Sequence, residues 1–150
     1  MPYLTKKFKF CAAHQYGHSN WSSKKNNEVF GKDARLHGHN YELEVTVTGE
    51  IDEETGFLVD LDELKKIVNK KVINVIDHST IEKEIPWFRD KQPSTEHMVI
   101  WMWEQIEPEL EDTKLHRIRV RETPTIYTCL LYTSDAADEG LGVDLGGRRI

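Results

Sequence analysis

Cysteine is scarce in this chain. Two residues of that type among 150, Cys11 and Cys129, are too few for a disulfide framework and point to a reducing compartment. Long apolar runs are absent as well. None approaches the roughly 18 residues a membrane-spanning helix needs, and no secretory signal pattern is recognisable at the start. A basic surplus is also missing. The formal net charge is -6, which disfavours indiscriminate binding to nucleic acid. The expectation is a cytoplasmic domain with no membrane and no nucleic-acid partner. The 38% apolar content is enough for one core. What the chain does have is seven histidines, unevenly placed.

Tyr3–His14 reads as a strand, with Leu4, Phe8, Phe10, Ala12 and His14 on one face. Residues 15–36 are polar and read as a long loop. Residues 37–49 alternate, with Tyr41, Leu43, Val45 and Val47 on one side and Glu42, Glu44, Thr46 and Thr48 on the other. Asp60 with Glu63 starts a helix whose stripe runs Leu61, Leu64, Ile67, Val68, Val72, Val75 and Ile76. A second helix follows Pro93, capped by Ser94 or Thr95, with Met98, Val99, Met102 and Ile106 as its stripe. Residues 116–122 alternate again, and Ile126-Tyr127 begins a last strand. The order β-β-α-α-β-β predicts an α+β fold: a four-stranded antiparallel sheet with two helices on one face.

Residues 129–150, CLLYTSDAADEGLGVDLGGRRI, show neither helical nor strand periodicity. They match the translation of two sequencing-adapter segments, in order and in frame. The expectation is a domain over 1–128 and an artefactual, disordered tail over 129–150.

His37 and His39 are one residue apart on a strand, so both rings project from the face shared with Tyr41 and Leu43. His14 shares the parity of Phe8 and Phe10. Pairing of these two strands brings three imidazoles to one end of the core face, the pattern of catalytic zinc with an open fourth position. Glu122 carries the inward parity of Ile118 and Val120. It reads either as a recognition group for a flat ligand with two N–H donors or as a salt-bridge partner of Arg35 or Arg121. Asp77-His78 follows the first helix, and a carboxylate beside an imidazole can tune a general acid or base. His18, His97 and His116 lack a second supporting feature. Lys24, Lys25, Lys32 and Arg35 place positive charge in or near the long loop, which reads either as a contact for a phosphate-bearing substrate or as an ordinary solvated loop.

The motifs F-x-F-x-A-A-H (Phe8 to His14), V-F-G-K (Val29 to Lys32), L-H-G-H-N-Y (Leu36 to Tyr41) and G-E-I-D-x-x-T-G (Gly49 to Gly56) occur in that order. V-D-L-x-x-L-K (Val59 to Lys65), Asp77-His78, P-S-T-E (Pro93 to Glu96), W-x-W-E (Trp101 to Glu104) and R-E-T (Arg121 to Thr123) follow. Together they resemble the 6-pyruvoyltetrahydropterin synthase / 6-carboxytetrahydropterin synthase family from about Phe8 to Tyr127. The resemblance implies the tunnelling fold, homo-oligomers that are usually hexamers of two trimers, and active sites between subunits. It implies zinc on His14, His37 and His39, a pterin edge held by Glu122 with Thr95 and Glu96, and a proton relay through Asp77 and His78. The implied substrate is 7,8-dihydroneopterin triphosphate. The expected product is 6-carboxy-5,6,7,8-tetrahydropterin, on the route to deazapurine nucleosides such as queuosine. The alternatives are 6-pyruvoyltetrahydropterin, 6-hydroxymethyldihydropterin for folate, or a non-catalytic pterin- or zinc-binding paralogue.

One departure stands out. The family's catalytic cysteine lies in the loop before H-G-H, and the matching position here is Asp33. Some branches of the family carry glutamate in its place and cleave the pterin side chain differently, so Asp33 resembles those acidic variants with a shorter reach. Cys11 does not match that motif.

Overall fold

The computed structural model describes residues 1–133. Four strands, β1 (Tyr3–His14), β2 (His37–Thr48), β3 (Lys114–Thr123) and β4 (Ile126–Leu131), form one antiparallel sheet in the order β1-β2-β3-β4. Alternation decides which face is covered. Phe8, Phe10, Leu43, Val45, Val47, Ile118 and Val120 are buried, and the opposite side carries Lys7, Glu42, Glu44, Arg117 and Arg119. No helix among the described residues is long and apolar enough to cross a membrane.

Two helical segments inserted between β2 and β3 cover the apolar face. The first begins at α2 (Leu61–Val68), where the Asp60 carboxylate accepts from the backbone N–H groups of Asp62 and Glu63. It passes through a π-turn at Asn69–Ile73 into α3 (Asn74–Ile76). Its buried positions are Leu64, Val68, Val72 and Ile76. A spacing of four overshoots the 3.6-residue turn, and three such steps accumulate an excess of about one residue. The π-turn absorbs that residue and keeps all four side chains on the sheet. The same change of phase turns Val75 outward, against the periodicity reading. The second, α5 (Thr95–Ile106), is capped by Ser94 Oγ accepting from His97 N–H. It buries Met98, Val99, Met102 and Ile106 as expected, and Trp101 besides.

Three local features depart from the sequence reading. The stretch 15–36 is not all loop: it holds α1 (Ser23–Phe30), capped by Ser22, and a 3-10 turn over Gly31–Ala34. α1 buries no side chain, so no apolar stripe announces it. A further short helix, α4 (Ile81–Glu84), follows Asp77-His78. The third departure is the domain boundary expected at 128, which falls inside β4. Cys129, Leu130 and Leu131 pair with Arg119, Ile118 and Arg117, and Leu130 packs against the core. The rest of the segment expected to be a disordered tail, 134–150, lies outside the described residues.

Truncation tests that boundary. A chain ended after Thr128 should be less stable than one ended after Tyr132 by at least about 1 kcal/mol, the scale of a partly buried leucine. Urea denaturation of the two truncated chains measures the difference; equal stabilities would return the boundary to 128.

Candidate metal centre and pterin site

The β1–β2 register builds this site. His14 pairs directly with His37, and Ala12 with His39. Gly38 between the two histidines sits against β1, where an added Cβ would meet Ala12 O at 3.1 Å. The three rings converge with centroid separations of 4.5, 5.1 and 5.2 Å, and one ligand nitrogen from each lies within 4.8 Å of the others. Phe10 and Tyr41 stack beneath them at 4.8 Å as a cross-strand pair. The Tyr41 hydroxyl lies 3.5 Å from His14 Nδ1.

The hydrogen bonds fix the chemistry of the nitrogens. His14 Nδ1 donates to Pro93 O at 2.8 Å, and His37 Nδ1 donates to Arg35 O at 2.7 Å. A carbonyl only accepts, so each Nδ1 carries a hydrogen and, in a neutral ring, each Nε2 carries a bare lone pair. Those two Nε2 atoms face each other at 3.0 Å. Two lone pairs at that distance repel unless a cation lies between them. Two nitrogens about 2.0–2.1 Å from one tetrahedral ion lie about 3.3 Å apart, so the donor set fits a divalent metal. Burial pushes the His14 imidazole down to about 4, helped by His37 and His39 and opposed by the Pro93 carbonyl and Asp33. The protein environment thus keeps this ligand neutral.

Around the imidazoles stand carboxylates. Glu122 Oε2 is 3.9 Å from His14 Nε2, and Asp33 Oδ1 is 3.7 Å from His37 Nε2. Burial pushes the Glu122 carboxyl above its ordinary range; Asp33 and Glu96 add to this, while His39 and His37 oppose it. The basic side chain beside Glu122 is His14, a neutral imidazole, whereas Arg121 donates to Pro124 O. Thr95 is buried at the start of α5, bonded to Thr128 on β4 at 2.8 Å and to Glu96 at 3.2 Å. Tyr16 lies edge-on to His14, and burial together with Glu122, Asp33, Glu96 and Glu82 pushes its phenol up. Sequence reading passed over Tyr16, which has no motif of its own.

The structure does not gather every expected residue here. Asp77 and His78 lie at the outer edge of β1, where Asp77 Oδ1 accepts from Cys11 N–H. That hydrogen bond, together with the His78 ring, holds the Asp77 carboxyl below the usual range. Cys11 has the opposite parity to Ala12 and His14, so its side chain points to the other sheet face. His18 lies against Trp21 with its ring tilted, His97 Nδ1 donates to Gln92 O, and His116 stacks on Tyr3. Lys25 lies over the Trp21 ring.

The sequence model of 6-pyruvoyl tetrahydropterin synthase matches residues 3–131. The chain belongs to that family. A 6-pyruvoyl tetrahydrobiopterin synthase of Poecilia reticulata is 35% identical over 123 residues, covering 81% of this chain and 84% of its own. A dihydroneopterin monophosphate aldolase of Pyrococcus furiosus is 38% identical over 88 residues, covering 58% of this chain and 70% of its own. The structure of Caenorhabditis elegans 6-pyruvoyl tetrahydropterin synthase superposes with a TM-score of 0.78 at 29% identity, covering 89% of this chain and 98% of that one. The tunnelling-fold architecture of this pterin synthase family is the one described above.

Replacing one imidazole tests the metal site. Purified parent protein should contain about one divalent ion per chain, and His37→Ala should lose tight binding. Elemental analysis after dialysis measures the ratio; an unchanged ratio in the variant would place the ion elsewhere.

Proposed function

We propose that this chain is a zinc-dependent pterin synthase acting on 7,8-dihydroneopterin triphosphate in the cytoplasm. The observation that carries the reading is the convergence of His14, His37 and His39, with Glu122 beside them, in one partly buried site. Bound to the three imidazoles, zinc would supply Lewis acidity toward a side-chain oxygen of the substrate. The remaining steps fall to the chain's own groups. Glu122, crowded by other carboxylates, is stabilised by a ligand that offers it two N–H donors, as a pterin edge does. Thr95 and Glu96 border that position. Asp33, beside His37, stands as acceptor for a proton leaving the side chain.

Asp77 and His78 form a second proton-handling pair, with Asp77 Oδ2 3.0 Å from His78 Nδ1. They lie at the outer edge of β1, and Cys11, which they contact, points away from the face of the three histidines. In a homo-oligomer such as a hexamer of two trimers, with sites between subunits, the pair from one copy can complete the site of another.

For the product we propose 6-carboxy-5,6,7,8-tetrahydropterin, the precursor class of deazapurine nucleosides. Asp33 supports it. A carboxylate is a weaker base than the thiolate at the matching family position and is no equivalent nucleophile, so side-chain cleavage gains over pyruvoyl formation. The names of the Poecilia and Pyrococcus relatives favour two other outcomes, a 6-pyruvoyl product or aldol cleavage of the side chain. Mass spectrometry of what the purified protein makes from 7,8-dihydroneopterin triphosphate separates all three, and absence of turnover would indicate a binding paralogue.

Two variants probe the assignments. Glu122→Gln keeps the shape but turns one acceptor into a donor, and should weaken pterin binding by roughly 2–4 kcal/mol. Calorimetry with unchanged affinity would remove Glu122 from the binding site. Asp33→Asn should slow turnover by about 10²-fold or more, the scale of a lost general base, whereas Asp33→Cys should raise or redirect it. Equal rate and product in Asp33→Asn would make Asp33 a bystander.

A further inference from the structure

Cys11 has no part in the reading above, yet its backbone N–H, its carbonyl and its thiol all meet the Asp77-His78 dipeptide. Its N–H donates to Asp77 Oδ1 at 2.9 Å, and its carbonyl accepts from His78 N–H at 2.6 Å. Its Sγ lies 3.6 Å from His78 Nε2 and 3.7 Å from Nδ1, against the imidazole ring. Asp77 Oδ2 stands 3.0 Å from His78 Nδ1 on the same ring. His78 reaches this position in the left-handed backbone region, at φ 64°. Ala13 N–H donates to Ser79 O just beyond, so the segment is fixed along the strand edge.

There is room for a reactant. A cleft of about 370 Å³ opens over Cys11 and His78, lined also by Ala13, Gly38, Asn40 and Thr80. The charged groups facing this part of the sheet are Lys9 on β1, Glu42 on β2 and Arg121 on β3, which border the adjoining cleft. From α4, Glu82 approaches, but its carboxylate accepts from Gln15 N–H. The contact the thiol makes is with His78.

We infer that Cys11, His78 and Asp77 form a thiol–imidazole–carboxylate centre that makes Cys11 a nucleophile toward small-molecule disulfides and other soft electrophiles. The Asp77 carboxylate beside the ring stabilises the imidazolium, and the unprotonated ring nitrogen receives the Cys11 proton. The sulfur then attacks one sulfur of the disulfide. The old S–S bond breaks, the departing sulfur takes the proton from His78, and Cys11 is left in a mixed disulfide. Cys11 is oxidised and the departing sulfur reduced, so the exchange balances without another reactant. It requires neither metal nor pterin, and goes beyond the pterin-synthase reading.

The test compares the folded chain with itself unfolded. Iodoacetamide and oxidised glutathione are applied separately to the full chain at one pH, in buffer and in urea, and Cys11 is followed by peptide mass spectrometry. An activated thiol should react at least about tenfold faster folded than unfolded. A merely shielded thiol reacts more slowly when folded, and that result would overturn the inference. Cys129, exposed on β4, is read in the same samples and should show no such acceleration. His78→Asn, a residue that tolerates positive φ, should abolish the acceleration at Cys11. Asp77→Asn keeps an acceptor for the Cys11 N–H and should reduce the acceleration in part. Urea midpoints equal to the parent's show that both variants fold. An acceleration that survives His78→Asn would overturn the inference.

Discussion

The alignment of β1 with β2 is the constraint on which the site depends. His14 opposite His37 and Ala12 opposite His39 place three imidazoles together. A slip of one residue would send His14 to the other face of the sheet and break the set. The register is held by what lies further along the same strands. Phe8 with Leu43 and Phe10 with Tyr41 are buried cross-strand pairs, and any shift would expose them. Core burial therefore fixes the position of the chemistry, and Gly38 allows the close strand approach that goes with it.

Parity made much of this legible in the sequence. Two faces of period two located the strands, the buried side and the inward histidines, and Glu122 was found by the same rule. The helical stripes were legible where they kept to 3.6 residues per turn. The π-turn was not, because a run spaced by four looks like an ordinary helix until its phase is followed to Val75. Nor was α1, whose residues bury nothing and so leave no apolar mark. The end of β4 was obscured because three residues without context carry no period; only pairing with β3 shows that Leu130 belongs to the core.

Contacts across the fold were the least legible. Cys11 lies 66 residues before Asp77 and 67 before His78, and they meet only because the segment after α3 returns along the β1 edge. The carbonyls that hold the two histidines are backbone atoms of Pro93 and Arg35, invisible to any side-chain motif. They settle the tautomers, and the tautomers leave lone pairs on the two nitrogens that face each other. The ligand types were legible as residues, whereas their protonation depends on backbone atoms that only the fold brings near.

The sheet also has two unlike ends. Among the described residues, β4 pairs on one side only, and the first half of β1 is likewise open on its outer edge, since the Asp77–Thr80 segment covers only its far end. An edge of β1 cannot meet another β1 in the same way that it meets β4. Pairing of β4 from one copy with β1 of the next would be head-to-tail, with each copy rotated by the same angle. Such a row has only two outcomes: it returns to its start as a ring, or it grows without limit as a fibre. The twist of one four-stranded sheet, set by its own core, would decide between them.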